Sequence, residues 1–342
     1  MDFGLSDEQR ELVASCARLL AKQSPPERVR AAEPGGLDEA LWRALHEVGI
    51  VTMAVGEAHG GWGAGLLDAA LVAEEVGRTL AAAPVIEAQV AARLLAGVGS
   101  PAAADVLAEV LEHGRLVTIA ARPARAGVAT LVPAGAVCDA CVVLDGGRLV
   151  LESVAGRSRR PVANLAGAPL ADLELTSSVE LAAGAAAEEL FEGAVDEWLV
   201  LTAAALVGMG AAAHEMICGY ARERRAFGAP IGSFQGVSHP LADDAANLDG
   251  AQLLVRKAAW TLDRRGPRGR ELAAMAFAFS SRAVAAATYD AVHFHGGYGF
   301  MLEHDAQLFY RRARGWARVW GDAEAADRRA AQARYGAPGG GR

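Results

Sequence analysis

The spacing of apolar residues changes twice along this chain, and the resulting order limits the folds that it can adopt. Apolar side chains recur at helical spacing up to about residue 114, follow a strand-like pattern with turn glycines from Leu116, and return to helical spacing at Ala185. The strand signals therefore form one short block instead of alternating with helices. This order predicts an α+β fold that is mainly α, and it argues against a doubly wound sheet.

Local signals divide the chain into three folded parts and a tail. Ser6 and Gln9 form a capping-box pattern that opens the first helix, and Ser24-Pro25-Pro26 ends it. Residues 337–342 are rich in proline and glycine, which is typical of a flexible tail. The predicted parts are an N-terminal helical domain (1–114), a reduced β-domain (115–184), a C-terminal helical bundle (185–335) and a flexible tail (336–342).

Within these parts the pattern predicts individual elements. Strands are expected at 117–119, 136–144 and 148–154, the last two joined by a turn at Gly146-Gly147. Helices are expected at 37–48, 66–80, 85–95 and 101–112 in the first part, and at 188–223, 239–264, 271–293 and 303–318 in the last.

Composition excludes several classes of protein. Hydrophobic residues make up 52% of the 342, which supports a core and excludes intrinsic disorder. The net charge of −8 argues against a general nucleic-acid-binding protein, because phosphate binding needs a concentrated positive face. The most apolar stretches, 199–210 and 272–292, lie within about 20 positions of charged or small polar residues, so we expect buried helices and no membrane span. The first residues lack a secretory signal pattern, so a cytoplasmic location is expected.

The four cysteines do not predict a metal site. Cys138 and Cys141 have the spacing of a zinc-binding pair, but neither a second pair nor a nearby histidine completes four ligands. We interpret them as two small apolar residues in a strand, and Cys16 and Cys218 stand alone in helical patterns.

One candidate ligand-binding segment lies between two predicted helices. It reads RERRAFGAPIGSFQ, from Arg222 to Gln235, and it turns through Gly228-Ala229-Pro230. A guanidinium on Arg224 and an amide on Gln235 could both point to one anionic ligand. The alternative is that cationic residues in the last turn of a helix merely favour its dipole.

A second candidate is a glycine-rich loop, HFHGGYGF, from His293 to Phe300. Glycines let the backbone approach a phosphate closely, and the amides at the start of a following helix can bind it. No strand precedes this loop, so it is not a dinucleotide-binding fingerprint. The alternative is a glycine that only terminates a helix.

Together these segments resemble a known family. The opening MDFGLSDEQRELV, the loop GEAHGGWGAG (56–65), EEVGRTL (74–80), RERRAFGAPIGSFQ and HGGYGFMLEH (295–304) are similar, in the same order, to landmarks of the acyl-CoA dehydrogenases. The resemblance implies an α-domain, a β-domain and a C-terminal four-helix bundle, assembled as a dimer or tetramer with FAD at subunit boundaries. It also implies an acyl-CoA substrate and an electron-transferring flavoprotein as electron acceptor.

The resemblance assigns six residues to the cofactor. Positions matching Arg224, Phe227, Gln235, Gly296 and Gly297 hold the ADP half of an FAD whose ring lies in the neighbouring subunit. His293 stands where the family usually has Gln. The middle part departs from the pattern, because residues 118–127 read TIAARPARAG where relatives carry the segments that contact the flavin ring. The ring-binding half of the site is therefore expected to be missing.

The catalytic glutamate is also missing. In most members it lies twenty-four positions after the first glycine of the loop, which is Trp320 here, and in a subgroup twenty-nine positions before the Phe of the arginine segment, which is Trp198. Tryptophan cannot accept a proton and is large enough to fill an acyl pocket. The neighbouring carboxylates are Glu197 and Asp322, either of which could serve as a displaced base.

These departures resemble the short subunits, without base or ring site, of actinobacterial heteromeric acyl-CoA dehydrogenases, including those of steroid side-chain catabolism. The resemblance predicts an accessory subunit that shares FAD with a full-length partner in an α2β2 enzyme acting on a bulky acyl-CoA. Two alternatives stay open: a self-sufficient homo-oligomeric dehydrogenase that uses Glu197 or Asp322, and a scaffold or biosynthetic enzyme of the same fold without redox chemistry.

Overall fold

The computed structural model describes residues 4–336, and the N-terminal part is helical as predicted. Ser6 accepts a hydrogen bond from the Gln9 amide while the Gln9 side chain accepts one from the Ser6 amide, which confirms the capping box. A short helix that the sequence did not predict follows, because Pro26 suits a first helical position. The helices are α1 (Asp7–Gln23), α2 (Pro26–Ala32), α3 (Glu39–Glu47), α4 (Leu66–Arg78), α5 (Val85–Val98) and α6 (Pro101–His113).

The middle part contains two small sheets. Its strands are β1 (Val117–Ile119), β2 (Val128–Val132), β3 (Ala140–Asp145), β4 (Arg148–Ser153), β5 (Arg160–Pro161), β6 (Ala171–Glu174) and β7 (Val179–Ala183). One sheet has the order β1-β3-β4-β7 and the other β2-β6-β5. The predicted hairpin is present as β3 and β4, with Asp145 paired to Arg148 across the two turn glycines. The prediction of a strand from residue 136 was wrong, because residues 134–138 form a turn before β3.

The C-terminal part begins with a 40-residue helix, α7 (Gly184–Glu223), one residue earlier than the predicted domain boundary. It is followed by α8 (Gln235–Asp263), α9 (Gly269–His295), α10 (Ala306–Trp316) and α11 (Ala323–Tyr335). A hairpin of two two-residue strands, β8 (Arg225–Ala226) and β9 (Ala229–Pro230), connects α7 to α8. The predicted tail lies outside the described residues except for Gly336.

Glycines allow α4 and α7 to cross in close contact. A Cβ on Gly77 would lie 1.9 Å from the Ala205 carbonyl oxygen, and one on Gly208 would lie 1.9 Å from that of Glu74. Each helix therefore places its glycine against the other's backbone. This crossing is the tightest joint between the N-terminal part and the bundle among the glycine positions of the described chain.

Two side chains join the N-terminal part to the bundle by polar contacts. Asp263, at the end of α8, accepts hydrogen bonds from the Leu66 and Leu67 amides at 2.8 and 3.2 Å and so caps α4. Arg93 on α5 donates to the Ala54 carbonyl oxygen at 3.0 Å and binds a carboxylate of α7. The two parts are thus joined by a bundle carboxylate that caps an N-terminal helix and by an ion pair between side chains of the two parts.

Two helical segments, Gly184–Glu223 and Gly269–Phe300, are long and apolar enough to cross a membrane by composition alone. In this fold the most apolar windows of the two are 72% and 67% buried within the protein. Both are largely buried helices of the bundle, as the sequence predicted. Cys138 and Cys141 are buried in the core of the β-domain, and Cys141 lies on β3. The prediction that Cys138 is also in a strand was wrong, because it lies in the turn before β3.

Candidate functional site

The two sequence motifs meet at one end of the helical bundle. The rings of Tyr220, in the last turn of α7, and His295, the last residue of α9, lie 4.6 Å apart. The start of α8 is tied to the same end, because the Ile231 amide donates to the Arg224 carbonyl oxygen at 2.8 Å. The Arg224–Gln235 segment and the glycine-rich loop are therefore neighbours in space, although 58 positions separate Gln235 from His293 in sequence. We call this surface the loop end.

The loop end carries an unneutralised cation beside a helix N-terminus. Arg224 and Gln235 are exposed, and neither side chain has a hydrogen-bond or ion-pair partner among residues 4–336. Gln235 is the first residue of α8, and no side chain caps that 29-residue helix. A free guanidinium, an amide and the positive end of a helix dipole together suit an anionic ligand such as a pyrophosphate.

Phe227 combines full exposure with an unfavourable backbone conformation. Its side chain is 99% exposed and its φ is +51°, a left-handed value that costs free energy for a residue with a bulky side chain. The ring meets that of Phe234 edge to face at 6.3 Å. A large apolar ring held out in this way is available to a ligand or to another chain.

The glycine-rich loop leaves open space beside its backbone. Gly296 has a φ of +68°, which favours glycine, and a Cβ on Gly296 or Gly297 would meet no atom within 4 Å. His293 is exposed and stacks on Tyr289 at 5.7 Å, so its ring faces the surface. His295 points inward, and its Nδ1 lies 2.6 Å from the Ala291 carbonyl oxygen. Of these two histidines, only His293 is accessible to a ligand.

A pair of carboxyl groups lies behind the loop end, between α8 and α9. Asp244 is only 4% exposed, and its Oδ2 has no hydrogen-bond partner among the described residues. Burial, together with the nearby charges of Asp290 and Asp243, raises the pKa of Asp244 to about 7. Burial also raises the pKa of Asp290. The two groups therefore share a proton below neutral pH.

Trp198 and Trp320, at the two positions where the resemblance places the base, pack through one phenylalanine. Trp198 is 2% exposed, and its ring centroid lies 6.2 Å from that of Phe277. Phe277 in turn meets Trp320 edge to face, also at 6.2 Å. This aromatic trio, Trp198–Phe277–Trp320, is a packed part of the core.

Both carboxylates that could replace the base have structural partners. Glu197 accepts two hydrogen bonds from Arg93, each at 2.9 Å, in a bidentate ion pair. Asp322 accepts a hydrogen bond from the Ala325 amide at 2.8 Å and caps α11, and this bond lowers its pKa. Glu197 thus has both carboxylate oxygens in the ion pair, and Asp322 uses one of its oxygens to cap a helix.

A carboxylate that the sequence reasoning missed lies in a small cavity between the three parts of the chain. The cavity has a volume of about 70 Å³ and is lined by Glu87, Trp198, Thr202 and Arg312 among mostly apolar residues. The Trp198 indole donates to Glu87 at 3.2 Å, and burial raises the pKa of Glu87. The only sequence signal was a glutamate inside the apolar run of α5. So small a space cannot hold an acyl chain beside a flavin ring.

The segment that was expected to lack flavin-ring contacts offers no free hydroxyl group. Thr118 is its one hydroxyl-bearing residue, and that hydroxyl is buried and donates to the Pro133 carbonyl oxygen at 2.6 Å. Ala120 and Ala124 donate backbone hydrogen bonds along β3. Arg122 reaches across to the Val319 carbonyl oxygen at 2.9 Å.

Comparisons with known proteins cover nearly the whole chain. A family model described as the acyl-CoA dehydrogenase N-terminal domain matches residues 6–110, and one described as the C-terminal domain matches residues 196–333. The acyl-CoA dehydrogenase IpdE2 of Mycolicibacterium smegmatis is 31% identical over 320 residues, which cover 93% of this chain and 96% of the relative.

Solved structures share the fold. The ChsE4–ChsE5 complex from Mycobacterium tuberculosis aligns with a TM-score of 0.88 at 25% identity, over 99% of this chain and 100% of that chain. A variant of the steroid ACAD Tcur3481–Tcur3483 aligns with a TM-score of 0.87 at 23% identity, over 96% of this chain and 97% of that chain. Other structures with this fold are complexes with FAD or FADH2.

Proposed function

This chain belongs to the acyl-CoA dehydrogenase family, and from that premise we propose that it is the accessory subunit of a heteromeric, FAD-dependent acyl-CoA dehydrogenase. It contributes the ADP half of a shared FAD site to a full-length partner subunit. The partner supplies the base, the contacts to the flavin ring and most of the substrate pocket. The aromatic trio carries the proposal, because it fills both positions of the family's base with side chains that cannot accept a proton.

The residues of the loop end fit the ADP half of FAD. Arg224 and Gln235 would bind the pyrophosphate oxygens, helped by the uncapped start of α8. Gly296 and Gly297 would admit the phosphates close to the backbone, Phe227 would pack on the adenosine, and His293 would donate a hydrogen bond in place of the usual Gln. When bound, FAD accepts a hydride from the acyl thioester. The role of this chain is to bind and orient the cofactor.

The contacts of the other carboxylates support the same division of labour. Glu197 is held by Arg93, Asp322 caps a helix, and Glu87 lies in a cavity too small for a substrate. A subunit without its own acyl pocket leaves the partner's cleft free to take a bulky acyl group. We therefore propose a bulky acyl-CoA as substrate, such as a steroid side-chain thioester.

The proposed function also implies a partner subunit, an electron acceptor and a cellular location. The ChsE4–ChsE5 structure is a complex of two different proteins, and this chain aligns with one chain of that structure over 99% of its own length. Electrons from the reduced cofactor would pass to an electron-transferring flavoprotein. The proposed location is the cytoplasm.

The deciding experiment measures flavin content and native mass. The purified chain alone is compared with the chain co-expressed with an acyl-CoA dehydrogenase encoded beside it. We expect apoprotein for the chain alone, and one FAD per heterodimer in an α2β2 complex that desaturates acyl-CoA. One tight FAD per isolated chain, with turnover, would instead establish a self-sufficient enzyme, and its base would then be sought among Glu197, Asp322 and Glu87.

A third outcome is also informative. If no flavin binds to the chain in either preparation and the partner is fully active alone, the redox role is excluded. The chain would then be a scaffold or biosynthetic protein that keeps the fold without its cofactor.

A further inference from the structure

The outer face of α8 exposes apolar side chains. Leu253 is 42% exposed and Trp260 is 37% exposed, and on the adjacent helix α9 Met275 and Phe279 are each 38% exposed. We name as the α8 face the outward residues Ala246, Asp249, Leu253, Lys257 and Trp260. We propose that this face is an interface between two copies of the chain, in which the two α8 helices pack antiparallel about a twofold axis at Leu253.

The residues of the α8 face are placed symmetrically about Leu253. Asp249 and Lys257 lie four positions before and after it, and Ala246 and Trp260 lie seven positions before and after it. Residues four and seven apart share one side of an α-helix. A twofold axis at Leu253 that reverses the helix therefore brings Asp249 of one copy opposite Lys257 of the other. The same axis brings Ala246 opposite Trp260.

The two charges of the α8 face have no partners within their own chain. Asp249 and Lys257 are exposed, and neither side chain has a hydrogen-bond or ion-pair partner among residues 4–336. Eight residues of helix separate them by about 12 Å, which is too far for an ion pair. In the antiparallel arrangement each charge meets its opposite twice. A parallel arrangement would set aspartate against aspartate and lysine against lysine, which is unfavourable.

The sizes of the side chains are complementary as well. Ala246 is small and leaves room for the indole of Trp260 from the second copy. The guanidinium carbon of Arg264 lies 4.2 Å from the centre of the Trp260 ring and holds this ring over the surface. Between the helices, a Cβ on Gly250 would lie 3.6 Å from the Phe279 ring. The exposed apolar surface therefore continues from α8 onto α9.

The size of this surface suits a reversible dimer. From residue 246 to residue 264 the helix runs about 27 Å, and two packed helices are about 18–20 Å wide. Each copy would thus bury about 500 Å² and the pair about 1,000 Å², near the lower limit of specific interfaces. The α8 face begins about three turns beyond Gln235, so the contact leaves the loop end free. In the enzyme of the proposed function, on which this role rests, it would join two heterodimers.

The test is sedimentation equilibrium of the intact chain, alone and at low ionic strength. We expect a monomer–dimer equilibrium with a micromolar Kd that rises with salt. Asp249→Lys and Lys257→Asp each place like charges opposite one another on both sides of the axis. Each variant should therefore raise the Kd of its own dimer by at least about tenfold. The control is Asp105→Lys, the same change of charge at an exposed position of α6, and it should dimerise as the wild type does.

A mixture of the two variants tests the symmetry. One copy of Asp249→Lys and one of Lys257→Asp restore an opposite charge at each contact, so together they should form a heterodimer about as tight as the wild-type dimer. A wild-type chain that stays monomeric, or single variants that dimerise normally, overturns the proposal. So does an Asp249→Lys that fails to bind the full-length partner while the wild-type chain alone is a monomer, because the face would then belong to that partner. No flavin, partner or substrate is needed for dimerisation, so failure of the proposed function leaves the result unchanged.

Discussion

At the loop end, two adjacent arginines differ in whether their side chains make hydrogen bonds within the chain. Arg225 donates to the Gly228 carbonyl oxygen at 2.8 Å, whereas the adjacent Arg224 side chain contacts no acceptor among the described residues. The Arg224 guanidinium is therefore free to bind a ligand, whereas Arg225 is held by its own loop. The neighbouring arginine offers a matched comparison at the same site.

Arg224→Ala is expected to weaken FAD binding in the assembled enzyme. Loss of a charge-assisted contact to a pyrophosphate costs about 1.5–3 kcal/mol, which corresponds to roughly 10- to 150-fold in Kd. The measurement is a flavin-release titration of the complex, with Arg225→Ala as the control that should change Kd little. Equal effects of the two substitutions would contradict the assignment of Arg224.

A second residue-scale prediction concerns Asp244 and pH. Its pKa is raised from 3.8 to about 7 in the folded chain, so the folded state binds the proton more tightly than the unfolded state. Its contribution to stability is complete below about pH 4 and is lost as the pH rises through about 7. The amide of Asp244→Asn carries its own N–H and can donate to Asp290 at any pH. The unfolding free energy of this variant should therefore not fall as the pH rises.

The check on Asp244 is chemical denaturation of both proteins between about pH 5 and about pH 8. The difference in unfolding free energy between Asp244→Asn and wild type should grow with pH across that range. A difference that is constant with pH would show that the carboxyl pair does not share a proton.

At the scale of elements, the joint between α4 and α7 depends on the absence of side chains. Gly208 on α7 lies against the backbone of Glu74, and Gly77 on α4 lies against that of Ala205. Because the obstructing atoms are backbone, neither helix can relieve an added methyl group by rotating a side chain. The helices would have to separate along their contact.

Gly208→Ala should therefore destabilise the chain by about 1–3 kcal/mol or more through overpacking. Gly219→Ala on the same helix meets no atom within 4 Å and should instead stabilise by about 0.5–1 kcal/mol. Denaturant midpoints of the two variants test the pair. Similar shifts for both would mean that α4 and α7 are not in close contact.

The sequence predicted the elements with strong apolar periodicity and missed the weak ones. The long helices α7 and α9 were predicted within a few residues, because their apolar faces are continuous. The strand β5 has two residues, and the apolar residues of α11 are almost all small alanines between charged side chains, so neither element has a clear apolar period. The contact of Trp198 and Trp320 through Phe277 was invisible for a different reason. This contact joins residues far apart in sequence, and a local sequence pattern does not predict long-range contacts.

At the scale of the whole molecule, apolar side chains are exposed together at the loop end. Phe300 is 72% exposed and Leu302 is 74% exposed, and Phe227 lies at the same end of the bundle. Isolated exposed apolar residues are ordinary, but a group of them beside an unpaired cation is typical of a surface that another subunit covers. The exposed group and the proposed FAD contacts share one face of the chain.

Replacing Phe300 and Leu302 by Ser should weaken association with the partner by at least about tenfold, because exposed anchors carry much of an interface's energy. The unfolding free energy of the chain alone should stay within about 0.5 kcal/mol of wild type. Analytical ultracentrifugation of the mixed subunits measures the first quantity. The control is Tyr335→Ser on α11, where the residue is 79% exposed, and this variant should leave assembly intact. If Tyr335→Ser also weakens association, the effect is a general one of exposed apolar residues and the assignment of this surface to the partner is wrong.

The packed tryptophans make the loss of the base difficult to reverse. Trp198→Glu would place a second buried carboxyl beside Glu87 and leave the space of an indole empty against Phe277. Exchange of a large core side chain for a smaller one costs about 3–5 kcal/mol before any charge is counted. The single substitution Trp198→Glu is therefore expected to destabilise the fold instead of producing a working base. Under the proposed function, selection on the chemistry would act on this chain through its partner, so the two genes would share one evolutionary fate.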